Sequence, residues 1–231
     1  MHWFFDPDFS ESRNSFSESQ AQHAKALRIR VGEAVTITNG KGLIAQAEVS
    51  SVDPISFEVE SVSQTPKQAP GFHLVQALAK NDRDEMALQA SVELGASSVT
   101  PWQAERSIVR WDQKAQRHQE RWQAIAIEAM KQSQQGYLCQ VNPLAATKSI
   151  PLLGLGIVLD PRATLTLDQV ARSDNYTLVV GPEGGISDSE LQALSDLGFL
   201  RVKLGNSVLR ASTAGPAAIA ALQVLHGSFR S

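Results

Sequence analysis

Apolar positions in the first third of the chain follow the two-residue period of half-buried strands. Runs at 34–38, 43–49 and 55–62 carry this pattern, and turn residues separate them. Asn39-Gly40 stands between the first two runs, and Asn-Gly is a strong signal for a tight hairpin. The pattern predicts a small antiparallel β-barrel. A segment rich in Pro, Gln and Gly at 64–71 then marks a domain boundary, which we place at residue 70.

Beyond residue 71 the pattern changes to short apolar runs that alternate with helical periods. Strands are predicted at 72–79, 98–100, 137–141, 155–159, 176–180 and 200–204, and helices at 82–94, 112–133, 187–197 and 211–226. Asn81-Asp82 is expected to cap the first of these helices. Strands and helices in alternation favour a parallel sheet with helices on its faces. The sequence therefore predicts a second domain, of the α/β class, over residues 71–231.

Composition narrows the class of protein without changing this picture. The chain has 231 residues, 42% of them hydrophobic, and a net charge of −3, which is typical of a globular protein. Its one cysteine, Cys139, excludes an intrachain disulfide and a CxxC metal site, so we expect a reducing compartment and no metal. The chain shows neither a signal-peptide pattern nor an apolar run of the roughly 20 residues that span a membrane. We expect a cytoplasmic protein with no membrane partner.

The strongest local excess of positive charge lies where the longest predicted helix begins. Asp112 and Glu120 stand there against five basic side chains, Arg106, Arg110, Lys114, Arg117 and Arg121. The last three share one helix face, because three and four residues separate them. Such a segment is either a surface that meets phosphate groups or a solvated helix face with ion pairs. Charge alone leaves both interpretations open.

Two glycine-bearing loops follow consecutive predicted strands. Gly181–Gly185 follows the run at 176–180, and Ser187-x-x-Glu190 is then typical of a capped helix start. Gly205–Arg210 follows the run at 200–204. Carboxyl ends of parallel strands meet at one edge of the sheet, so the two loops are expected side by side, where α/β proteins bind ligands. A turn that binds nothing is the alternative for either loop alone. The glycine spacing excludes a P-loop and a Rossmann fingerprint.

Longer motifs that include these loops resemble one family. They are Gly181-Pro182-Glu183-Gly184-Gly185, Leu204-Gly205-x-x-Val208-Leu209-Arg210-x-x-Thr213-Ala214, His23-x-x-Ala26-Leu27-Arg28, Lys80-x-Asp82-Arg83-x-Glu85 and Glu128-Ala129-x-x-Gln132-Ser133. Together they resemble the ribosomal RNA small subunit methyltransferase E family along almost the whole chain. The resemblance implies a PUA-like RNA-binding β-barrel over residues 1–70 and a SPOUT methyltransferase domain with a deep trefoil knot over residues 71–231. It also implies a homodimer.

The family resemblance implies S-adenosylmethionine as methyl donor and N3 of a uridine in 16S rRNA of the 30S subunit, uridine 1498, as acceptor. Donor contacts are implied for Leu159, Val180, Gly181, Pro182, Gly184, Gly185, Leu204, Gly205, Ser207, Val208, Leu209, Thr213 and Ala214. Candidate RNA contacts are Lys25, Arg28, Arg30, Lys80, Arg83, Arg106, Lys131 and Gln132.

Two side chains are candidates for the chemistry of methyl transfer to uracil. N3 must lose its proton, and negative charge then spreads to the flanking carbonyl groups. Arg210 is our candidate for stabilising that charge. Glu183 is a candidate to orient the base or to accept its proton, directly or through water; the alternative is a loop residue that favours the dipole of the following helix.

Three positions depart from the family pattern, and two other classes of function stay open. Ala90 stands where the family usually has Lys, Gln135 where Arg usually follows Gln-Ser, and Ser212 where many members have Glu. One alternative is an RNA-binding ribosome-assembly factor whose donor pocket is vestigial. The other is an enzyme that acts on free nucleotides from an ordinary α/β fold.

Overall fold

The computed structural model describes residues 2–227, which form two compact units. The first unit extends to Lys67 and takes in a later segment, Met130–Leu138. The second comprises Gln68–Ala129 and resumes at Cys139. The pattern of apolar residues did not indicate that a later segment returns to the first unit.

A four-stranded sheet and one helix form most of the first unit. The strands, in sheet order, are β1 (His2–Phe5), β2 (Ala34–Thr38), β3 (Leu43–Val52) and β4 (Ile55–Gln64), and the helix is α1 (Glu18–Leu27). The three predicted strands are confirmed, whereas β1 and α1 were not predicted. β1 runs parallel to β2, so the expectation of a wholly antiparallel arrangement is wrong at this strand. The chain between β1 and β2 contains α1, which supplies the long crossover that a parallel pair needs.

The hairpin between β2 and β3 turns as the Asn-Gly signal predicts. Gly40 and Gly42 have φ angles of 71° and 96°, a region that favours glycine. Asn39 Oδ1 accepts the backbone N–H groups of Lys41 and Leu43 at 2.8 and 3.2 Å. The later segment 130–138 pairs with this turn, since Gly42 N–H donates to the Gly136 carbonyl oxygen at 2.8 Å. The turn therefore also joins the two stretches of the first unit.

A six-stranded, wholly parallel sheet forms the centre of the second unit. Its order is β10-β8-β9-β5-β6-β7, with bounds β5 (Gly71–Ala77), β6 (Ala96–Trp102), β7 (Gln140–Val141), β8 (Leu155–Leu159), β9 (Asn175–Val180) and β10 (Leu200–Val202). The helices of the chain beyond residue 70 are α2 (Arg83–Glu93), α3 (Ala115–Gln132), α4 (Asp188–Asp196) and α5 (Ala211–His226). β7 is shorter than the predicted 137–141 run, and a 3-10 turn at Asp112–Lys114 precedes α3.

Both faces of the parallel sheet are covered, which explains its continuous apolar strands. On one face Val75, Trp102 and Val179 pack with Leu194 of α4 in a buried cluster. On the other, α5 approaches so closely that a Cβ at Gly215 would lie 2.9 Å from Leu74 Cδ1. The single cysteine, Cys139, is buried. Burial raises the pKa of its thiol to about 12, so it is unreactive at neutral pH.

The start of α2 corrects the predicted capping. Asp82 precedes the helix in a left-handed conformation, φ 56°, and its side chain forms no capping hydrogen bond. The carboxylate of Asp84 accepts backbone N–H groups instead, from Ala79 at 3.0 Å and Glu85 at 2.9 Å. Burial nevertheless raises the pKa of Asp84 above its ordinary value.

The predicted fold class, an α/β domain that follows a smaller β-rich domain, is confirmed. The trefoil knot stays a prediction. Within residues 2–227 no helix has the length and apolar character needed to cross a membrane.

Candidate active site

Three parallel strands of the second unit end at one cavity. β10, β8 and β9 are neighbours in the sheet, so the loops that follow Leu159, Val180 and Val202 leave from the same edge. A cavity of about 480 Å³ lies between these loops. This volume is in the range of small-molecule sites, and the edge is where α/β sheets bind ligands.

The cavity brings together most of the residues that the sequence singled out. Its walls include Leu159, Val180, Gly181, Pro182, Glu183, Gly185, Leu204, Gly205, Ser207, Val208, Leu209, Arg210 and Ala214. Two candidates for RNA contacts, Arg83 and Arg106, also line it. Gly184 and Thr213 are not among the lining residues. The roles of all these residues stay predictions.

The glycines of the two loops serve different purposes. Gly185 has a φ of 73°, and a Cβ at Gly181 would lie 2.5 Å from Ile186 Cγ1, so the first loop needs glycine for its own conformation and packing. A Cβ at Gly184 would lie 3.1 Å from the Cβ of Arg106. Gly205 differs, because its φ lies outside the left-handed region and no atom lies within 4 Å of a Cβ built there. The second loop therefore leaves space beside its backbone at a wall of the cavity.

A buried carboxylate fixes the end of the first glycine loop. The predicted capping box is confirmed, since Ser187 Oγ accepts Glu190 N–H at 3.3 Å and Ser187 N–H donates to Glu190 Oε2 at 3.2 Å. Glu190 Oε1 accepts Glu105 N–H at 2.8 Å and the Thr147 hydroxyl at 3.1 Å. Three donors thus surround one buried side chain. They hold the start of α4 against the segment that follows β6.

A second carboxylate, that of Glu105, binds the first residues of α4 through its side chain. Glu105 Oε2 accepts the Ser187 hydroxyl at 2.6 Å and the Ser189 hydroxyl at 3.2 Å. These hydrogen bonds, that of Ser187 first, hold the pKa of Glu105 below its ordinary value. Glu105 is therefore ionised at neutral pH. Its contacts place the next residue, Arg106, beside the glycine loop.

Two arginines hold the polar atoms of the first glycine loop. Arg106 Nη1 donates to the Gly184 carbonyl oxygen at 3.3 Å. Arg83 Nη1 and the Lys80 backbone N–H both donate to Glu183 Oε1, at 3.2 and 3.3 Å. Within the part of the chain that the structure describes, Glu183 Oε2 forms no such bond. Glu183 therefore lines the cavity while only one of its two carboxylate oxygens is anchored.

Asp160 joins the loops on the other side of the cavity. Its Oδ2 accepts Arg201 Nη2 at 2.6 Å and Nε at 3.0 Å, and its Oδ1 accepts Arg162 N–H at 3.0 Å. Arg162 Nη1 continues to Asp188 of α4 at 3.4 Å. Burial acts to raise the pKa of Asp160, but the hydrogen bonds from Arg162 and Arg201 outweigh it, so this pKa lies below its ordinary value. Sequence reasoning missed Asp160, although it directly follows a predicted strand.

The remaining RNA candidates are distributed over both units. Lys25, Arg28 and Arg30 are exposed in the first unit, around the end of α1. Lys131 and Gln132 lie in its later segment, and Lys80 is exposed in the second unit. Within residues 2–227 no group of three His, Cys, Asp or Glu side chains is arranged to hold a metal ion.

Family comparison identifies the class of protein to which this fold and cavity belong. Residues 66–223 match the model of the RNA methyltransferase domain, and residues 16–60 match that of the RNA methyltransferase PUA domain. The chain is therefore an RNA methyltransferase with a PUA domain.

Curated relatives and solved structures narrow this class to one family. The chain is 33% identical over 218 residues to ribosomal RNA small subunit methyltransferase E of Mycobacterium bovis, covering 87% of this chain and 82% of the relative. The structure of this enzyme from Neisseria gonorrhoeae bound to S-adenosyl methionine is 30% identical, with a TM-score of 0.89 over 99% of both chains. The structure of a putative methyltransferase of Legionella pneumophila with bound S-adenosyl methionine is 29% identical in sequence to this chain. Its TM-score is 0.87 over 97% of both chains. The chain belongs to the ribosomal RNA small subunit methyltransferase E family, and the resemblance seen in its motifs is confirmed.

Asp160→Asn tests the charge network at the cavity. The folded-state pKa of Asp160 is depressed, so its contribution to stability is present above the ordinary Asp pKa and disappears as pH falls through the folded value. We expect the variant to unfold about 2 kcal/mol more easily at pH 7, because Asn lacks the charge that Arg162 and Arg201 bind, while the partial exposure of both guanidinium groups limits the loss. The deficit should vanish in strong acid. Denaturant unfolding at a series of pH values measures it.

Asp188→Asn is the matched control, because its carboxylate is 89% exposed and meets Arg162 only at 3.4 Å. It should leave stability nearly unchanged at every pH. A deficit of Asp160→Asn that does not depend on pH would show that the lost contribution is not the ionised carboxylate.

Proposed function

We propose that this chain transfers a methyl group from S-adenosylmethionine to N3 of a uridine in 16S rRNA of the small ribosomal subunit. Uridine 1498 is the acceptor that the family resemblance implies. The observation that carries the proposal is the cavity at the ends of β8, β9 and β10, where two glycine loops meet Arg210 and Glu183. Similarity to the donor-bound Neisseria gonorrhoeae enzyme over 99% of both chains supports the choice of donor.

The residues of the cavity fit this methyl donor. Leu159, Val180 and Ile186 offer an apolar wall for an adenine ring, and the loops beside them expose backbone groups that can bind its edge. Free space at Gly205 lets a ligand lie directly against the backbone. The donor supplies an electrophilic methyl group on a sulfonium, and the protein holds and orients the reactants around it.

Arg210 has the position required to stabilise the deprotonated uracil. It lines the cavity and directly precedes α5, so the positive end of that helix lies beside it. Its side chain is exposed, and no ion pair or hydrogen bond engages the guanidinium within residues 2–227. A planar guanidinium can donate to a carbonyl oxygen where negative charge develops.

Glu183 is the proposed acceptor of the N3 proton. Arg83 and the Lys80 backbone N–H fix one of its carboxylate oxygens, which leaves the other to accept a proton directly or through water. Arg83 also keeps a positive charge beside the carboxylate at 3.2 Å. Glu183 and Arg210 line the same cavity, so both can contact one uracil base bound there.

In the proposed function, residues 1–70 bind RNA and residues 71–231 carry out methyl transfer. Exposed cations around the end of α1, Lys25, Arg28 and Arg30, are suited to phosphate contacts. Lys131, Gln132 and Lys80 extend the proposed contacts, and the reaction takes place in the cytoplasm with no metal ion. Arg28→Ala and Arg30→Ala test this RNA-docking role better than deletion of residues 1–70. Deletion would also remove the part of the first unit against which segment 130–138 packs.

One experiment tests the function as a whole. The purified protein is incubated with labelled S-adenosylmethionine and 30S particles from a strain that lacks the modification, and nucleosides are analysed for N3-methyluridine. We expect label in N3-methyluridine alone. Donor binding without transfer would favour the assembly-factor alternative, and methylation of free nucleosides would favour an enzyme that acts on nucleotides.

Gly205→Val is expected to remove donor binding while the fold persists. The added side chain meets no protein atom at its Cβ, so it occupies space at the cavity wall instead of disturbing the loop. Calorimetric titration with S-adenosylmethionine measures the loss, and circular dichroism checks the fold. Gly205→Ala is the graded control and should lose less affinity. Unchanged affinity of the Val variant would place the donor elsewhere.

Arg210→Ala is expected to slow the chemical step by about a hundredfold or more, the scale of deleting one preorganised charge-stabilising donor. Donor and 30S affinities should stay close to those of the wild type, because the interaction strengthens only as charge develops. Arg210→Lys keeps the charge without the planar fork and should not restore the rate. Single-turnover methylation at saturating donor provides the measurement. A normal rate with weaker donor binding would make Arg210 part of the donor pocket only.

A homodimer is expected to form on the second unit. Val208 and Val224 are 79% and 55% exposed there, and a hollow beside Val224 shares Leu204 and Gly205 with the donor cavity. A second copy that covered this hollow would border the cavity. Light scattering should report a dimer for the wild type and for Val31→Asp, whose exposed valine lies in the first unit. Val224→Asp should be monomeric and slow in methylation, and an active monomer would contradict the proposal.

A further inference from the structure

Two exposed cations, Lys114 and Arg117, lie where α3 begins. Lys114 and Arg117 are both exposed, and no ion pair or side-chain hydrogen bond engages either one within residues 2–227. They are three positions apart in the sequence, so they project from the same side of the helix. The opposite side carries Trp122 and Ala126, which are buried. Their positive charges therefore face solvent together.

Upstream, this segment is attached to the rim of the donor cavity. Arg110 Nη2 donates to the Glu105 carbonyl oxygen at 3.2 Å. The next residue, Arg106, lines the cavity and binds the Gly184 carbonyl oxygen at 3.3 Å. Arg110 therefore stands directly beside a residue of the cavity wall.

Downstream, the same helix is attached to another part of the rim. Arg121 forms a bidentate pair with Glu85, with Nε–Oε1 and Nη2–Oε2 distances of 2.7 Å each. Glu85 lies in the first turn of α2, two residues from Arg83, which lines the cavity. The hydrogen bonds and the charge of Glu85 raise the pKa of Arg121, which therefore stays protonated and is already bound by a carboxylate. Lys114 and Arg117 lie between this attachment and that of Arg110.

We propose that Lys114 and Arg117 bind phosphates of the rRNA strand where it leaves the cavity, and we call these two side chains the α3 track. The inference rests on the proposed function, because a uridine in the cavity belongs to a continuous strand whose neighbouring nucleotides must cross the rim. Each of those nucleotides carries a phosphate, and cations without partners beside the rim are complementary to them. Lys114 and Arg117 lie about 5 Å apart along the helix axis, and their long side chains can therefore reach neighbouring phosphates of one strand.

Acidic groups beside the α3 track set a limit on its charge. Asp112 precedes it, and Glu120 lies one turn beyond Arg117, where Glu120 Oε1 accepts Gln116 Nε2 at 3.1 Å. Neither carboxylate pairs with Lys114 or Arg117 within residues 2–227. Removing the charge of Glu120 should therefore strengthen phosphate binding by the α3 track. Removing Lys114 and Arg117 should weaken it.

The test compares two double variants that lose the same charge. Lys114→Gln/Arg117→Gln removes the track, and Lys67→Gln/Arg172→Gln removes two exposed cations that precede the amino ends of β5 and β9. Binding to unmodified 30S particles is measured at several salt concentrations. We expect the track variant to lower the log–log salt slope by about 1.5, since each phosphate contact contributes roughly 0.7 to 0.9. The control variant should keep the wild-type slope.

Kinetics and donor binding separate this inference from the proposed function. The track variant should raise KM for 30S particles and leave kcat and the Kd of S-adenosylmethionine unchanged. Glu120→Gln should tighten 30S binding. If the wild type methylates 30S particles while the track variant keeps the wild-type salt slope and KM, the phosphate-binding role of the α3 track is contradicted. The proposed function is then unaffected. If the wild type itself neither binds nor methylates 30S particles, the proposed function fails and the track with it.

Discussion

Parallel pairing of β10, β8 and β9 is the constraint on which the cavity depends. Parallel strands present their carboxyl ends at the same edge, and these three are adjacent in the sheet. The loops after Leu159, Val180 and Val202 must therefore meet, although about 20 residues separate each from the next along the chain. Continuous apolar strands and helices on both faces keep this sheet buried. The proposed chemistry uses residues of these loops, where sequence can vary without disturbing the core.

Two carboxylates then make these loops rigid enough to act as a site. Glu190 gathers the start of α4, Thr147 and the backbone of Glu105 around one buried side chain. Asp160 does the same for the loop after β8 and for Arg201 of β10. Each carboxylate is saturated with donors, so it stabilises a single arrangement of backbone. Preorganised loops are what a backbone-bound ligand and a charge-stabilising arginine require.

The sequence predicts the strands and helices in which apolar residues recur with a clear period. It also predicts the loops in which glycines separate a strand from the following helix. β2, β8 and α5 begin and end as predicted. It missed β1 because four residues at the chain start offer too short a period, and α1 because that helix carries few apolar side chains. Asp82 was predicted as a cap, but it has a left-handed backbone, which no sequence pattern reveals, and its side chain forms no capping hydrogen bond. The partners of Asp160 and Glu190 come from distant parts of the chain, so only the folded structure brings them together.

The central claim is that the methyl donor lies against the backbone of both glycine loops. Amide hydrogen exchange measured with and without S-adenosylmethionine tests it directly, because a bound ligand slows exchange where it covers or hydrogen-bonds N–H groups. Slower exchange at 181–186 and 204–210, with β2 to β4 unchanged, is the predicted result. Donor binding that leaves both loops exchanging at their free rate, or that protects another region instead, would contradict the account.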